Sequence, residues 1–553
     1  MAVRPGERFP LPDDFPVKWD PPEDVGQYWF WDQMHHPHAI TPMTSSLDGP
    51  AFGRGFGKAC RALHMPMRGA ETKPFNYYLY FGNVPLIETA LEAAEREKLF
   101  TAEMMTRAPR VLKDWNEVYL PEVMSLNERV RDYPYQEASP RELADFLDEV
   151  LEIRSRVWEL HFLAVFPAMG IAAEFSRVYE EEIGPAVDQE HYRMLQGFPN
   201  KSVEAGQALF EIAQEIKATP EVAQTVTQAP VHEVFAQLDV STAGQAAANR
   251  LRSYLDDYGW RSDQFELADP SWREDHRPML YNLRGYLKDG AVDPAQEQAR
   301  AASDREQLVA QMLERLDGDV ARRNRFQMMV MMAQQYLPVQ ENHNFYIDQM
   351  NTVLMRLPVL EVGRRLVAAG SLTDASDTFL LTREEARHAV LKPEASWQTG
   401  VARRKAEMDL WSKVVPPQFI GTQSAIEARN DVMERFWGLG KEPSHDPKVI
   451  TGYAASKGVV TGTARIVRHL DEADKLVRGD VLVCEMTMPP WTPLFSIVSA
   501  VVADTGGALS HCAIVAREYH MPCVVGTRIG TQRIKDGQTV TVDGGQGIVR
   551  IEG

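Results

Sequence analysis

One stretch of the sequence places a titratable side chain shortly after a glycine pair. Residues 504–518 read DTGGALSHCAIVARE. The apolar run before this stretch predicts a buried strand, the glycines predict a turn, and a helix is expected to begin at Ser510 or His511. A helix start offers free N–H groups and the positive end of the helix dipole, which favour an anion. Because a neutral imidazole is a nucleophile near neutral pH, His511 is a candidate phosphoryl acceptor; the alternative is that it only caps the helix.

A longer window around this histidine resembles a known family. Residues 505–527, TGGALSHCAIVAREYHMPCVVGT, are similar to the phosphohistidine signature of the phosphoenolpyruvate (PEP)-utilising enzymes, and the resemblance continues upstream through 449–504. It implies a swivelling β/β/α domain whose histidine takes a phosphoryl group from one active site to another. His511 would be that phosphocarrier.

The same resemblance gives roles to the neighbours of the histidine. Thr505 and Ser510 match positions expected to contact the phosphate, and Gly506 and Gly507 match the turn. Arg517 either meets phosphate or a partner surface, or forms an internal ion pair with a carboxylate. These five residues are the predicted phosphate-binding set.

A nucleotide-binding motif is not evident in the sequence. Residues 1–553 contain no GxxxxGK[ST] motif, and GRGFGKAC at 53–60 is interpreted as a flexible loop. Family dikinases load their histidine from an ATP-grasp domain, and some continue into a pyruvate-binding barrel, which is not expected after Gly553. The resemblance therefore implies an ATP-grasp partner subunit that binds Mg²⁺ and ATP, phosphorylates His511 with the β-phosphoryl group, and releases AMP and phosphate overall.

A helical region followed by this domain resembles the acceptor-binding and phosphohistidine parts of rifampin phosphotransferases and the large subunit of phenylphosphate synthases. Looser similarities at 28–43, 258–275 and 341–349 support this comparison. It implies a phosphotransferase that donates to a hydroxyl of a small organic acceptor, aromatic or phenolic, bound by the helical region. The alternative is a phosphohistidine relay protein that passes phosphate to another protein.

Transfer to a hydroxyl requires a base and cationic groups near the acceptor. In ENHNFYIDQ at 341–349, His343 is the candidate base, with Glu341 or Asp348 to orient it and Tyr346 to contact the substrate. A buried polar network that ties helices together explains the same residues equally well.

A second histidine-rich segment, HHPHAITP, contains His35, His36 and His38. The proline between them and the lack of a carboxylate at helical spacing argue against a metal site, so no metal ligand is predicted. His36 and Arg68 are candidates for substrate binding, and the alternative for them is a structural or surface role.

The bulk composition narrows the class of protein. The chain is 44% apolar and 25% charged, with a formal net charge of −19. This acidic balance disfavours nucleic acid and anionic membranes as partners. The four cysteines lack CxxC spacing, which indicates free thiols in a reducing compartment, and Cys512 is interpreted as a packing residue. Neither a signal sequence nor a membrane span is expected, so the predicted location is the cytoplasm.

The pattern of elements predicts a multidomain α plus α/β fold. Residues 1–85 form a mixed segment that packs on the helical domain, 86–444 form the helical acceptor-binding domain, and 445–553 form the swivelling β/β/α domain, whose short strands are separated by glycine-rich turns.

Two local predictions concern the N-terminal half. EDVGQYWFWDQM at 23–34 predicts a short amphipathic helix, followed by one or two strands around 60–85. Farther along, SPRELADFL predicts a helix that begins with a capping box between Ser139 and Glu142.

Overall fold

The structure, a computed structural model, describes residues 4–65, 67–85, 90–186, 189–288, 290–423, 444 and 446–552. The chain divides into two compact units. The first comprises Met1–Pro167, Gln264–Asp269 and Tyr346–Asn430, and the second comprises Ala168–Asp263, Pro270–Phe345 and Asp431–Gly553. The predicted class, a large helical region followed by a C-terminal α/β domain, is confirmed. The boundaries proposed at 85/86 and 444/445 stay predictions.

The first unit combines helices with a small antiparallel sheet. The sheet has the order β2-β3-β1-β4 and contains β1 (Tyr28–Trp31), β2 (Met67–Phe75), β3 (Tyr78–Pro85) and β4 (Phe419–Gly421). Its α-helices are Pro42–Ala62, Ala90–Arg107, Val111–Asp114, Leu120–Arg131, Thr352–Ala368, Arg383–Leu391 and Gln398–Trp411. Buried aromatic side chains, among them Trp29 and Tyr80, pack on the sheet.

Residues 23–34 do not form the predicted amphipathic helix. A short 3-10 helix, Pro22–Gly26, leads instead into β1, which pairs with β3 and β4. Trp29 lies opposite Ile420, far away in the sequence. Aromatic side chains favour a strand once such partners are available, so long-range pairing overrides the local pattern. The strands expected around 60–85 are confirmed as β2 and β3.

The glycine cluster at 53–60 is helical and not the predicted flexible loop. It lies inside the helix Pro42–Ala62, where a Cβ atom on Gly55 would come within 2.4 Å of the Ser155 carbonyl oxygen. The glycine therefore permits close packing against the long helix Pro140–Glu182.

That long helix begins as the sequence predicts. The Ser139 N–H donates to Glu142 Oε2 at 2.7 Å, and the Glu142 N–H donates to Ser139 Oγ at 3.2 Å, which together form the capping box. By length and composition, Pro140–Glu182 is also apolar enough to cross a membrane, contrary to the expectation that no segment would be. Because 72% of its most apolar window is buried inside the protein, it has the character of a core helix.

The second unit contains the remaining helices and the C-terminal sheet. Its α-helices are Glu190–Arg193, Lys201–Lys217, Pro220–Gln228, Val234–Leu238, Thr242–Tyr258, Arg277–Leu287, Pro294–Arg315, Val320–Ala333, Tyr336–His343, His511–Glu518 and Gly530–Arg533. The strands are β5 (Val449–Thr451), β6 (Tyr453–Ser456), β7 (Val459–Ile466), β8 (Val481–Cys484), β9 (Ala500–Ala503), β10 (Cys523–Val525), β11 (Thr539–Asp543) and β12 (Ile548–Ile551).

These eight strands have the order β5-β12-β11-β7-β8-β9-β10-β6. The four strands β7, β8, β9 and β10 run parallel to one another. On the two sides of this group, β11 pairs antiparallel with β7 and β6 pairs antiparallel with β10, and β12 and β5 extend the sheet beyond β11 by further antiparallel pairing. Valines on β8, β9 and β10 are fully buried. The parallel strands bring their carboxyl ends to one edge of the sheet, and the segment that carries His511 follows β9 at that edge.

Short 3-10 and π-helical segments connect these elements. The 3-10 segments besides Pro22–Gly26 are Ala108–Arg110, Val231–Glu233, Ala375–Leu380, Leu470–Lys475 and Pro489–Ser496, and the π-helical segments are Trp115–Tyr119 and Asn344–Asn351.

Candidate phosphohistidine site

The turn after β9 is anchored by a buried carboxylate. Asp504 accepts a hydrogen bond from Thr527 Oγ1 at 2.7 Å and another from the Thr531 N–H at 3.2 Å. Burial raises the pKa of Asp504 to about 6, and the hydroxyl and N–H donors counteract that rise. The anchor fixes the strand end from which the glycine turn departs.

Glycine is required at the first position of the pair. Gly506 has φ +91°, and a Cβ atom there would lie 2.7 Å from Ser510 Oγ. An L side chain would therefore be both strained and in collision with the residue before His511. The turn, followed by the helix His511–Glu518, has the predicted form.

The predicted phosphate-binding side chains make internal hydrogen bonds in this arrangement. Thr505 Oγ1 donates to the Glu485 carbonyl oxygen at 3.1 Å, and Ser510 Oγ donates to the Gly507 carbonyl oxygen at 2.8 Å. Arg517 donates to main-chain carbonyl oxygens of the same domain at 2.8 and 2.9 Å and is buried. Its hydrogen bonds therefore go to backbone groups and stabilise the loop. The phosphate-binding role of these residues stays a prediction.

The imidazole of His511 has one engaged nitrogen and one available nitrogen. Its Nδ1 atom lies 3.2 Å from Glu341 Oε1, and the side chain is 11% exposed. Its Nε2 atom is buried and has no hydrogen-bond partner among the described residues. Since a carboxylate accepts hydrogen bonds, the proton belongs on Nδ1 and the lone pair on Nε2.

Glu341 is held ionised beside this histidine. Its Oε2 atom accepts a hydrogen bond from Ser202 Oγ at 2.7 Å. Burial would raise the pKa of Glu341, but the imidazole of His511 and the Ser202 hydroxyl hold it below the usual glutamate value. The carboxylate is therefore an acceptor at neutral pH.

Two helices position Glu341. It lies in Tyr336–His343, and the next residue, Asn342, accepts a hydrogen bond from the Lys201 N–H at 2.9 Å through Oδ1. Asn200 caps the helix Lys201–Lys217 by accepting from two backbone N–H groups. Ser202 therefore reaches Glu341 from the first turn of a fixed helix.

Within the second unit, three further hydrogen bonds join two helices and the loop residue Gln196 to the C-terminal domain. Tyr336 Oη donates to the Leu509 carbonyl oxygen at 2.8 Å, Asn282 Nδ2 donates to that of Pro490 at 2.8 Å, and Gln196 Nε2 donates to that of Ile514 at 3.3 Å. Leu509 and Ile514 flank His511 in the sequence, so these contacts fix the imidazole against Glu341.

His343 is buried two residues after Glu341. Its Nδ1 atom lies 3.0 Å from the Val339 carbonyl oxygen, which indicates that Nδ1 carries the proton and Nε2 is basic. The orienting role expected of Glu341 thus falls on His511, to which it is bonded.

Four other predicted residues lie in the first unit. The carboxylate of Asp348 lies 3.1 Å from Nδ1 of His161, a buried histidine that the sequence reasoning missed. Tyr346 is half-buried, Arg68 is exposed on β2, and His36 is buried, which lowers its pKa. Their roles in orientation and substrate binding stay predictions.

Three buried residues of the second unit were not singled out from the sequence. Ser202 carries no local signal, because its partner Glu341 lies far along the chain. Arg261 lies within the segment 258–275 that supported the family resemblance, yet only the structure reveals that it is buried. Cys523 is packed against Cys512, with sulfur atoms 3.8 Å apart and both side chains buried, in agreement with a packing role for Cys512.

Comparison with known proteins identifies two regions. Residues 161–341 match the fourth domain of rifampicin phosphotransferase, and residues 476–547 match the mobile domain of PEP-utilising enzymes. These two matches confirm the resemblance to the PEP-utilising enzymes seen around His511.

Several proteins are similar to most of the chain. It is 32% identical to chondramide synthase cmdD of Chondromyces crocatus, over 98% of this chain and 14% of that protein. It is 27% identical to the uncharacterized phosphotransferase YvkC of Bacillus subtilis, over 96% of this chain and 62% of that protein. It is 28% identical to rifampicin phosphotransferase of Streptomyces sviceus, over 74% of this chain and 46% of that protein. The chain spans less than two thirds of the length of each of these relatives.

Proposed function

We propose that the chain is a phosphohistidine-dependent phosphotransferase in which His511 receives a phosphoryl group and passes it to a hydroxyl of a small organic acceptor. The observation that carries the proposal is the state of the imidazole: Nδ1 faces a carboxylate, and the buried Nε2 is left without a partner among the described residues. An imidazole held this way presents its lone pair to phosphorus. Relatives named phosphotransferases support the same reaction class.

Loading of His511 is assigned to an ATP-grasp partner that binds ATP and Mg²⁺. The nucleotide supplies its β-phosphoryl group and its γ-phosphoryl group passes to water, so AMP and phosphate are released overall. On this chain a P–N bond forms at Nε2 as a P–O bond of the nucleotide breaks and leaves its electron pair on the departing oxygen. The proton on Nδ1 stays directed at Glu341. The negative carboxylate stabilises the positive charge that the phosphorylated ring acquires.

Unloading reverses the bond changes at Nε2. The P–N bond breaks, its electron pair returns to Nε2, and an O–P bond forms to the acceptor oxygen. The hydroxyl proton passes to a base, for which His343 is proposed because its Nε2 atom is the basic nitrogen. His343 is buried and the His511 side chain is only 11% exposed, so access of water is limited, which protects a labile P–N bond from hydrolysis.

An aromatic or phenolic acceptor is proposed for the helical region. In the second unit the rings of Tyr258, Trp272 and Phe345 lie around two cations, Lys201 and Arg261. Aromatic side chains with a few polar groups are typical of sites for small organic ligands.

The four cysteines are free and buried, which supports a reducing, cytoplasmic setting.

The proposal is tested by labelling. The full chain is combined with an ATP-grasp protein encoded beside it, Mg²⁺ and ATP labelled at the β-phosphate. Wild-type chain and the exposed-histidine control His469→Ala are expected to acquire acid-labile label, and His511→Ala is expected to acquire none. Equal labelling of His511→Ala would refute the phosphocarrier role.

A second stage identifies the acceptor class. Labelled chain is mixed with a panel of phenols and alcohols, and loss of label from the protein is followed together with its appearance in a small phosphate ester. Transfer to another protein with no transfer to any small hydroxyl compound would favour the relay alternative.

A further inference from the structure

Arg261 is a buried cation without an anion. Its side chain is 2% exposed, its Nε atom has no hydrogen-bond partner, and no carboxylate pairs with its guanidinium among the residues that the structure describes. Burying an unpaired charge is costly, so arginines inside proteins are normally paired. Arg517 is also buried and also has no partner at Nε, but its two terminal nitrogens donate to carbonyl oxygens at 2.9 and 2.8 Å. Among the described residues, no such hydrogen bond is made by the terminal nitrogens of Arg261.

Aromatic rings, and not acids, surround this guanidinium. Its central carbon lies 5.1 Å from the ring centre of Phe345 and 5.4 Å from that of Trp272. The titratable groups that interact electrostatically with the guanidinium are the phenols of Tyr254 and Tyr258. Ring faces attract a cation, but they leave its five N–H groups without strong acceptors.

A backbone hydrogen bond fixes the position of the Arg261 main chain. The Trp272 N–H donates to the Arg261 carbonyl oxygen at 2.8 Å, which closes the loop between them. Trp272 Nε1 in turn donates to Asp263 at 3.1 Å. Asp263 is therefore occupied with the indole, and the loop presents Arg261 to the aromatic rings.

Phe345 connects Arg261 to the phosphohistidine site. The ammonium of Lys201 lies 5.9 Å from the centre of the same ring, and the Lys201 N–H is bonded to Asn342. The neighbouring residue Ser202 is bonded to Glu341, which is bonded to His511. The unpaired guanidinium and the reactive imidazole are thus linked through one continuous set of contacts in the second unit.

We propose that Arg261 binds the phosphoryl oxygens of a phosphomonoester at the acceptor site. A guanidinium offers two parallel N–H groups that match two phosphate oxygens, and the adjacent rings suit an aromatic ester. The identification of the anion as a phosphoryl group rests on the proposed function. The existence of an anion site rests only on the burial of Arg261 and its lack of a partner.

Binding to the unphosphorylated full chain tests the site directly. Inorganic phosphate and phenyl phosphate are titrated by calorimetry and by thermal unfolding, with chloride at matched ionic strength. Both phosphates are expected to bind the wild type and raise its Tm. Arg261→Met is expected to lose this response, with a Tm in chloride no lower than that of the wild type, because an unpaired buried charge has been removed.

Two variants make the result specific. Arg273→Met is the matched control. Arg273 belongs to the same loop and also lies over an indole, that of Trp260, but it pairs with Asp256 at the surface. This variant is expected to bind phosphate as the wild type does. Arg261→Lys keeps the charge and loses the paired donors, and its affinity is expected to fall about tenfold. A wild type that binds neither phosphate, or Arg261 variants with unchanged affinity, would overturn the site.

Labelling separates this proposal from the proposed function. Arg261→Met is expected to accept label on His511 and to lose transfer to an added phenol. If wild-type His511 takes no label, the phosphotransferase proposal fails while phosphate binding at Arg261 is still decided by titration. If Arg261→Met transfers label as fast as the wild type, the acceptor-site role of Arg261 is wrong although the phosphocarrier stands.

Discussion

At the scale of single residues, the site depends on which atom of each side chain is already engaged. His511 uses Nδ1 on Glu341 and leaves Nε2 available, and Glu341 divides its two oxygens between His511 and Ser202. The sequence identified His511 because its local frame is informative. It did not identify the pairing with Glu341, since residues so far apart in sequence are brought together only by tertiary packing.

Glu341→Gln tests the orientation of the imidazole. The amide keeps the shape of the side chain but loses its charge, so the Nδ1 proton is no longer favoured and the phosphorylated ring is less stabilised. The rate of phosphoryl transfer is expected to fall about a hundredfold or more.

Two measurements distinguish orientation from a general loss of structure. Nitrogen chemical shifts of His511 should report the Nδ1–H tautomer in the wild type and a mixture in Glu341→Gln. Ser202→Ala, which retains the carboxylate, should have a much smaller effect on rate. A wild-type tautomer and rate in Glu341→Gln would contradict the assignment.

At the scale of elements, the sequence predicted best where the pattern is local. The strand, glycine turn and helix around His511 follow from neighbouring residues, and so does the capping box at Ser139. The segment 23–34 was mispredicted because β1 depends on distant strands, and the glycines at 53–60 were mispredicted because their role is close helix packing. Neither cause is visible in a short window.

Gly506→Ala tests the turn. The positive φ and the approach to Ser510 should together destabilise the protein by about 1–3 kcal/mol and displace the start of the His511 helix. Urea unfolding measures the first effect, and β-phosphoryl labelling measures the second.

A second glycine with a similar φ separates the effect of the contact with Ser510 from the effect of backbone strain. Gly479 has φ +94°, but nothing lies within 4 Å of a Cβ built on it. Gly479→Ala should therefore cost less stability than Gly506→Ala and leave labelling intact. Equal costs and equal labelling for the two variants would show that the approach to Ser510 is unimportant.

At the scale of the whole molecule, a buried glutamate makes the stability of the fold depend on pH. Glu518 ends the helix that begins at His511, and it is buried near Glu341. Burial, followed by the charge of Glu341, raises the pKa of Glu518 to about 8. The folded protein therefore holds a proton on Glu518 that the unfolded chain releases at lower pH.

The sign of the effect on stability follows from proton linkage. Between the unfolded pKa and about 8 the folded state binds more protons, so the contribution of Glu518 to stability falls as pH rises through that window and levels off above it. Glu518→Gln should remove this loss.

Thermal unfolding across pH checks this expectation. The Tm of Glu518→Gln should exceed that of the wild type by an amount that grows from about pH 5 to about pH 8. The exposed Glu128→Gln serves as control and should follow the wild-type profile. A constant difference between Glu518→Gln and the wild type would exclude titration of Glu518 as the cause.

Three hydrogen bonds from the earlier part of the second unit end on main-chain carbonyl oxygens of the C-terminal domain, those of Leu509, Ile514 and Pro490. These three depend on the path of the C-terminal backbone, whereas the contacts of His511 with Glu341 and of Asp474 with Arg284 depend on side chains. Substitutions at Leu509, Ile514 and Pro490 that preserve the course of the backbone therefore keep these hydrogen bonds. The C-terminal side can diverge at these positions during evolution while its partners Tyr336, Gln196 and Asn282 are kept.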